Sequence, residues 1–180
     1  VRSRGLGDVY KRQHHIILYP MKELNIRIAL KIYEYEELNR EDRELVNAAC
    51  EATQRSYAPY SHFSVGAAAR LADKTIVTGS NQENAAYPSG LCAERTTLFY
   101  ANSRYPDQAV DTLAIAARNE RGEYLEDPIP PCGACRQVMM ETENRFKHPM
   151  RILLFGQKGI YELKNVGALL PLSFNASAME

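Results

Sequence analysis

The chain has 180 residues, 45% of them hydrophobic and 24% charged, which is the composition of an ordinary globular domain with one core. It contains no apolar run of about 18 residues, so no membrane-spanning helix is expected. Residues 21–180 hold 18 of the 22 basic and 21 of the 22 acidic residues, and this net charge of −3, without a Lys/Arg cluster, favours a small-molecule partner over nucleic acid.

Residues 1–20 differ in pattern from the rest of the chain. Val1–Gln13 shows no periodicity, whereas Met21 opens a well-patterned stretch. We expect Met21 to be the natural start, residues 1–20 to be a non-native or disordered leader, and residues 21–180 to form a single domain. With no secretory signal and with two cysteines at C-x-x-C spacing, the expected location is the cytoplasm.

The first half of the domain predicts a strand, a helix and a β-hairpin. Leu24–Tyr33 alternates in part and is rich in Ile, which indicates a strand. Asn39 can cap a helix that runs to about Ser56, with acidic residues in its first turn. Ser64–Leu71 and Thr75–Gly79 are apolar runs joined by a tight turn, so they predict the hairpin.

The second half alternates helices with strands. Helices are predicted from Cys92 to about Ser103 and from Cys132 to about Arg145. The remaining segments are the strands Val110–Arg118, Arg151–Gly156 and Gly159–Leu163 and a short closing segment, Leu169–Phe174. This order predicts a three-layer α/β/α sandwich around a mixed five-stranded sheet.

Three of the four cysteines lie in two motifs that each open a predicted helix, Cys92-Ala-Glu94 and Pro131-Cys132-Gly-Ala-Cys135. Thiolates select zinc among common metals, and helix N-termini favour the thiolate form. A closed structural site needs a fourth ligand, whereas three thiolates suit a catalytic zinc with one open position. Glu94 would then lie beside the metal, where a carboxylate can act as a general acid and base.

Three thiolates would leave a Zn²⁺ site with a net charge of −1. An excess of negative charge makes the metal a poorer Lewis acid. Arg95 lies three residues after Cys92, and Arg136 directly follows Cys135. We expect one of these two arginines to donate a hydrogen bond to a ligand sulfur, and the sequence leaves open which one.

Over nearly all of residues 40–175 the chain resembles the small homotetrameric cytidine deaminases that bind zinc through three cysteines. C-A-E followed about 40 residues later by P-C-G-A-C matches the zinc-deaminase signature. Further matching motifs are Tyr60-Ser-His-Phe63, Asn81-x-Glu83-Asn-Ala85 and Leu170-Pro-x-Ser-Phe174. The resemblance implies a cytidine-deaminase-like fold and a homotetramer whose active sites are shared between subunits.

The resemblance also implies an activity, namely hydrolytic deamination of cytidine and deoxycytidine to uridine and deoxyuridine plus ammonia in pyrimidine salvage. Cys92, Cys132 and Cys135 would hold one zinc per subunit. Zinc-bound hydroxide would attack C4 of the base. Glu94 would carry the protons.

The substrate contacts that the resemblance implies lie at Phe63, Asn81, Glu83, Ala85, Tyr87, Ala93 and Phe174. Asn81 and Glu83 are expected to hold the ribose 3′-hydroxyl, since an amide and a carboxylate can both bond one alcohol. Phe63 is expected to pack on the pyrimidine. Ala85–Tyr87 and Phe174 match positions that approach the active site of a neighbouring subunit.

Three other interpretations remain open from the sequence. One is a deaminase of a related cytosine compound such as blasticidin S, and another is a polynucleotide deaminase, which the lack of a basic groove disfavours. The third is a zinc-stabilised structural module, which would need a fourth protein ligand such as His62 or His148.

Overall fold

The computed structural model describes residues 22–176 and residue 179. The expected leader, residues 1–20, therefore lies outside the described residues. No helix within the described part of the chain combines the length and the apolar character that crossing a bilayer requires.

The described residues form a three-layer α/β/α sandwich, as the sequence predicts. The helices are α1 (Arg40–Ala52), α2 (Ala93–Arg104) and α3 (Gly133–Phe146), and the strands are β1 (Lys31–Tyr33), β2 (Ser64–Leu71), β3 (Ile76–Ser80), β4 (Val110–Arg118), β5 (Arg151–Gly156) and β6 (Gly159–Leu163). The sheet order is β1-β6-β5-β4-β2-β3. Only β4 and β5 pair in parallel, so the sheet is mixed.

The sheet has six strands rather than the expected five, because a short β1 joins its edge. The predicted strand over Leu24–Tyr33 is wrong for most of its length, since only Lys31–Tyr33 pairs with β6. Lys31 faces Glu162, and β6 ends one residue later at Leu163. The residues that precede β1 therefore have no partner strand within the described part of the chain.

Strand β4 separates two apolar layers because its side chains alternate between the faces of the sheet. Ala114 packs in the layer under α1 with Leu45, and Leu113 packs in the layer under α2 and α3 with Leu98 and Met139. Burial on both faces explains why β4 is a continuous apolar run in the sequence.

Two glycines let the backbones of α1 and α2 pack directly against the backbone of the sheet. A Cβ atom at Gly66 of β2 would lie 2.2 Å from the carbonyl oxygen of Ala49 in α1. A Cβ atom at Gly79 of β3 would lie 2.9 Å from the backbone nitrogen of Thr97 in α2. The second contact holds α2, whose start carries the first cysteine motif, close against the sheet edge.

A buried charge network ties the start of α1 to one end of the sheet. Arg70 of β2 donates to Asp42 at 3.2 Å and to Asp111 at 3.2 Å. Arg151 of β5 donates to the same Asp42 and, at 3.0 Å, to Glu162 of β6. Asp42 therefore bridges two arginines from different strands, and both it and Arg70 are buried.

Replacing Asp42 with alanine is expected to lower the free energy of unfolding by about 3–5 kcal/mol, because the buried guanidinium of Arg70 would lose its buried counter-ion and keep only the partly exposed Asp111. Glu41→Ala is the matched control. Glu41 is the neighbouring acid, lies 4.0 Å from Arg70 and is exposed, so its loss should cost less than about 1 kcal/mol. Urea denaturation measures both values, and equal costs for the two variants would contradict the role assigned to Asp42.

Candidate functional site

The two cysteine motifs meet at the N-termini of α2 and α3. Cys92 is the N-cap residue of α2, Cys132 is the N-cap residue of α3, and Cys135 lies in the first turn of α3. The Sγ atoms of Cys92 and Cys132 are 3.8 Å apart, those of Cys132 and Cys135 are 3.4 Å apart, and all three lie within 4.8 Å of one another. Tetrahedral zinc with bonds of about 2.3 Å to sulfur requires separations of about 3.8 Å, so the three thiols fit that ion.

Among the described residues no further His, Cys, Asp or Glu joins this group of thiols. His62 is an exposed turn residue with a positive φ of 54°. His148 lies 3.7 Å from a carboxylate oxygen of Asp111, in the charge network rather than at the thiols. The site therefore offers three protein ligands and an open position, which is the pattern of catalytic rather than structural zinc.

Glu94 is a buried carboxyl in the first turn of α2. Burial is the main cause that raises its pKa, the charge on Cys92 raises it further, and a hydrogen bond from Cys135 works in the opposite direction. A raised pKa makes the carboxylate form of Glu94 a stronger proton acceptor than an exposed carboxylate, as a general base requires.

The thiols of Cys92 and Cys135 differ in pKa. A hydrogen bond from Cys135 is the largest cause that lowers the pKa of Cys92, to about 5, and burial opposes it while Arg95 supports it. The same hydrogen bond to Cys92, together with burial, raises the pKa of Cys135. Without a metal, Cys92 is therefore the more acidic thiol of the two. Cysteine binds metal as the thiolate, so a thiol with a lowered pKa favours metal binding.

The two candidate arginines have different contacts. Arg95 points a terminal guanidinium nitrogen at Sγ of Cys92, at 3.7 Å. Arg136 instead donates its Nε to the carbonyl oxygen of Pro131 and a terminal nitrogen to that of Leu169, both at 2.8 Å. Arg95 contacts a candidate ligand, and Arg136 ties the segment after β6 to the start of α3.

A cleft of about 510 Å³ opens beside Cys92, which is large enough for a nucleoside-sized molecule. Its lining residues are Tyr60, Ser61, Asn81, Gln82, Glu83, Asn84, Tyr87, Gly90, Leu91, Cys92 and Arg95. Three of the predicted substrate contacts are therefore in the cleft, namely Asn81, Glu83 and Tyr87.

Asn81 is buried, and most of its side chain is bonded within the chain. Its Oδ1 accepts hydrogen bonds from the Ser56 hydroxyl at 2.5 Å and the Val65 amide at 2.8 Å. Its Nδ2 donates to the carbonyl oxygen of Phe63 at 2.9 Å. One N–H of the amide is left for a ligand, and the bond to Phe63 holds the residue that precedes β2.

Glu83 lies in the loop after β3, where backbone amides hold it. Its Oε2 accepts from the amide nitrogens of Tyr60 at 2.9 Å and Ser61 at 3.2 Å. The Ser61 side chain, followed by the Tyr60 amide, lowers the pKa of Glu83, so the carboxylate is charged at neutral pH. Its second oxygen remains available to accept a hydrogen bond from a ligand hydroxyl.

The other predicted substrate contacts do not line the cleft of this chain. Phe63 is half-buried, and Ala93 lies in the core, so any ligand contact of Ala93 would come from its backbone. Ala85 and Phe174 are exposed, and the carbonyl oxygen of Phe174 accepts from Nε2 of Gln137 at 2.9 Å. Tyr87, which does line the cleft, is exposed as well, and its ring lies edge-on to Tyr60.

Sequence reasoning missed the backbone contacts that assemble the cleft. Gln82 and Leu91 exchange two backbone hydrogen bonds, of 2.8 and 2.9 Å, which bring the Asn81–Glu83 loop next to Cys92. The amides of Tyr60 and Ser61 that hold Glu83 were also not identified. Main-chain donors leave no signature in side-chain identity, so only the spatial arrangement reveals them.

Comparison with known proteins finds the same family at the levels of sequence and structure. Residues 39–147 match the cytidine and deoxycytidylate deaminase zinc-binding region. A cytidine deaminase of Halalkalibacterium halodurans is 40% identical over 139 residues, which are 77% of this chain and 98% of the relative. One of Sporosarcina psychrophila is 40% identical over 132 residues, 73% of this chain and 90% of the relative.

Two solved structures have a similar fold. The crystal structure of cytidine deaminase from Burkholderia pseudomallei aligns with a TM-score of 0.61 and 38% identity, over 73% of this chain and 97% of that chain. The cytidine deaminase of Mycobacterium tuberculosis aligns with a TM-score of 0.60 and 31% identity, over 76% and 99% of the respective chains.

Proposed function

The chain belongs to the cytidine and deoxycytidylate deaminase family of enzymes, and from this premise we propose that it deaminates cytidine and deoxycytidine hydrolytically in a zinc-dependent reaction. The products are uridine or deoxyuridine and ammonia, which places the reaction in pyrimidine salvage. The observation that carries the proposal is the cluster of three thiols with a buried carboxyl at the edge of a nucleoside-sized cleft.

We assign the zinc to Cys92, Cys132 and Cys135, with one ion per subunit. Their sulfur separations of 3.4 and 3.8 Å and the absence of a fourth candidate among the described residues support this assignment. Bound zinc supplies a Lewis acid that lowers the pKa of a water molecule from about 15.7 toward about 7.

Glu94 is the proposed proton carrier. It takes a first proton from the attacking water and delivers it to N3 of the base, so that C4 becomes more electrophilic. It then takes the second proton from the hydroxyl that has added to C4 and gives it to the amine, so that the C4–N bond breaks, ammonia leaves and the C4 carbonyl forms. Its burial beside Cys135 and its raised pKa support this role, because the same carboxyl must accept and release protons within one turnover.

We propose that Arg95 offsets the excess negative charge of the three thiolates. Its contact with Sγ of Cys92 supports the assignment, whereas the hydrogen bonds of Arg136 go to backbone carbonyls. A guanidinium that hydrogen-bonds a ligand sulfur withdraws electron density from it, which leaves the metal a stronger Lewis acid.

The proposed nucleoside site places the ribose at the Asn81–Glu83 loop and the pyrimidine toward Phe63. The free oxygen of Glu83 and the remaining N–H of Asn81 support a bond to the 3′-hydroxyl. A homotetramer would bring Ala85, Tyr87 and Phe174 of one subunit to its neighbour, and their exposure is compatible with this. Four free cysteines are consistent with the reducing cytoplasm as the proposed compartment.

The decisive experiment follows the absorbance change of purified protein with cytidine and with deoxycytidine. We expect turnover of both, and loss of turnover on treatment with a zinc chelator. Blasticidin S, deoxycytidylate and single-stranded DNA serve as comparison substrates. If any of these three compounds turned over faster than cytidine and deoxycytidine, it would replace the free nucleoside as the proposed substrate. The Glu83 contact would then not select the free nucleoside.

A further inference from the structure

The segment that precedes β1 carries an exposed row of apolar side chains. They occupy alternate positions, so in extended chain they share one face. Their exposed fractions range from 43% to 80%. The row consists of Leu24, Ile26, Ile28, Leu30 and Ile32.

The backbone of this segment is also unpaired. Residues 22–30 make no backbone hydrogen bond with any other described residue. β1, into which they lead, is the last strand of the sheet order, so its outer edge is open. A long, apolar, open edge is a template for pairing with another strand.

We infer that this segment pairs antiparallel with the same segment of a second copy of the chain, which continues the sheet across a twofold axis. An isologous contact of this kind needs a self-complementary sequence. Pairing Leu24 with Ile32, Ile26 with Leu30 and Ile28 with its own copy matches all five apolar residues.

The charges select the same register. On the other face of the strand, the pairing sets Arg27 opposite Ala29 and Lys31 opposite Asn25. A shift by two residues in one direction would set Arg27 opposite its own copy, and a shift in the other direction would set it opposite Lys31. Like charges directly opposite destabilise a strand pair, and a shift by one residue would put the apolar rows on opposite faces.

Ile32, the end of the row that belongs to β1, lies on the side of the sheet that carries α2 and α3. Ile32 pairs directly with Tyr161 of β6, and Tyr161 packs against the core under those helices. Residues directly opposite in an antiparallel pair share a face, so the paired segments would extend this apolar layer. The segment precedes residues 39–147, which match the deaminase family, and the contact is therefore separate from the proposed catalytic function.

Cysteine cross-linking of the full chain tests this register. Ile28→Cys is expected to give a disulfide-linked dimer under mild oxidation with oxidised glutathione, because position 28 opposes itself with Cβ atoms about 5 Å apart. Leu24→Cys is the matched control, since its own copy would lie about eight residues away along the strands and should form no dimer. A mixture of Leu24→Cys and Ile32→Cys chains should cross-link.

Non-reducing electrophoresis separates the outcomes, and the native cysteines are common to all variants. Equal dimer formation by Ile28→Cys and Leu24→Cys would overturn the register. If neither Ile28→Cys nor the mixed pair formed a dimer, the contact between copies would be excluded, and the segment would have to pack elsewhere. Light scattering adds a second measurement, of the mass of the assembly. Ile28→Lys would place two lysines opposite each other at the twofold axis, so it should lower this mass. An unchanged mass would contradict the contact.

Discussion

Replacing Glu94 with glutamine is expected to lower kcat for cytidine by about 10²–10⁴-fold while the zinc content of the protein stays unchanged. Glutamine keeps the shape of the side chain in its buried position, but it cannot carry a proton between water, N3 and the leaving amine. Glu94 is not one of the three thiol ligands, so its substitution should leave metal binding intact. Steady-state kinetics and elemental analysis for zinc measure the two quantities.

The pKa of Glu94 supplies a control for folding. Because burial raises this pKa above 4.5, the folded state holds the proton more tightly than the unfolded state. The metal-free protein therefore loses stability as the pH rises from 4.5 through the raised pKa. Glutamine removes that loss, so the variant should be at least as stable as the parent at pH 7, and a low kcat could not be ascribed to unfolding.

Glu141→Gln is the matched control variant, because Glu141 is an exposed carboxylate on α3. This variant should turn over cytidine at the same rate as the parent protein. Near-normal kcat in Glu94→Gln would remove Glu94 from the mechanism. A loss of zinc in that variant would instead give the carboxyl a role in holding the metal.

The sequence predicted the interior of the fold well because local pattern and tertiary burial agree there. Strands β2, β4, β5 and β6 have the predicted bounds, since apolar runs and turn residues mark both ends of each. The thiol cluster was also predictable. Thiols at two helix N-termini are recognised by residue type and spacing, and α2 and α3 bring them together.

What the sequence could not predict depends on partners distant in the chain. Leu24–Leu30 alternates like a strand, but alternation does not show whether a pairing strand exists, and β6 is too short to supply one. The spacings of three residues, from Cys92 to Arg95, and of four, from Cys132 to Arg136, each place two side chains on one helix face. Spacing therefore does not distinguish the two arginines. The sequence did not show that the carbonyl oxygens of Pro131 and Leu169 would accept the hydrogen bonds of Arg136.

Replacing Cys135 with alanine is expected to remove the zinc and to lower cytidine turnover by more than about 10²-fold. Substitution of groups that merely orient a metal ligand costs 10–100-fold, so loss of a ligand itself should cost more. Only two thiols would remain, and no other described His, Cys, Asp or Glu is placed to replace the third. Elemental analysis and the nucleoside assay measure both losses.

Cys50→Ala is the control that separates this site from general thiol effects. Cys50 is a buried free cysteine on α1, outside the three-thiol group, and burial raises its pKa to about 11, so it is a neutral packing residue at pH 7. Its substitution should keep both zinc and turnover. Chelation of the parent protein should reproduce the Cys135→Ala loss, and added zinc should restore turnover to the parent but not to the variant. Turnover that survives without zinc would show that the thiol cluster is not needed for the chemistry proposed here.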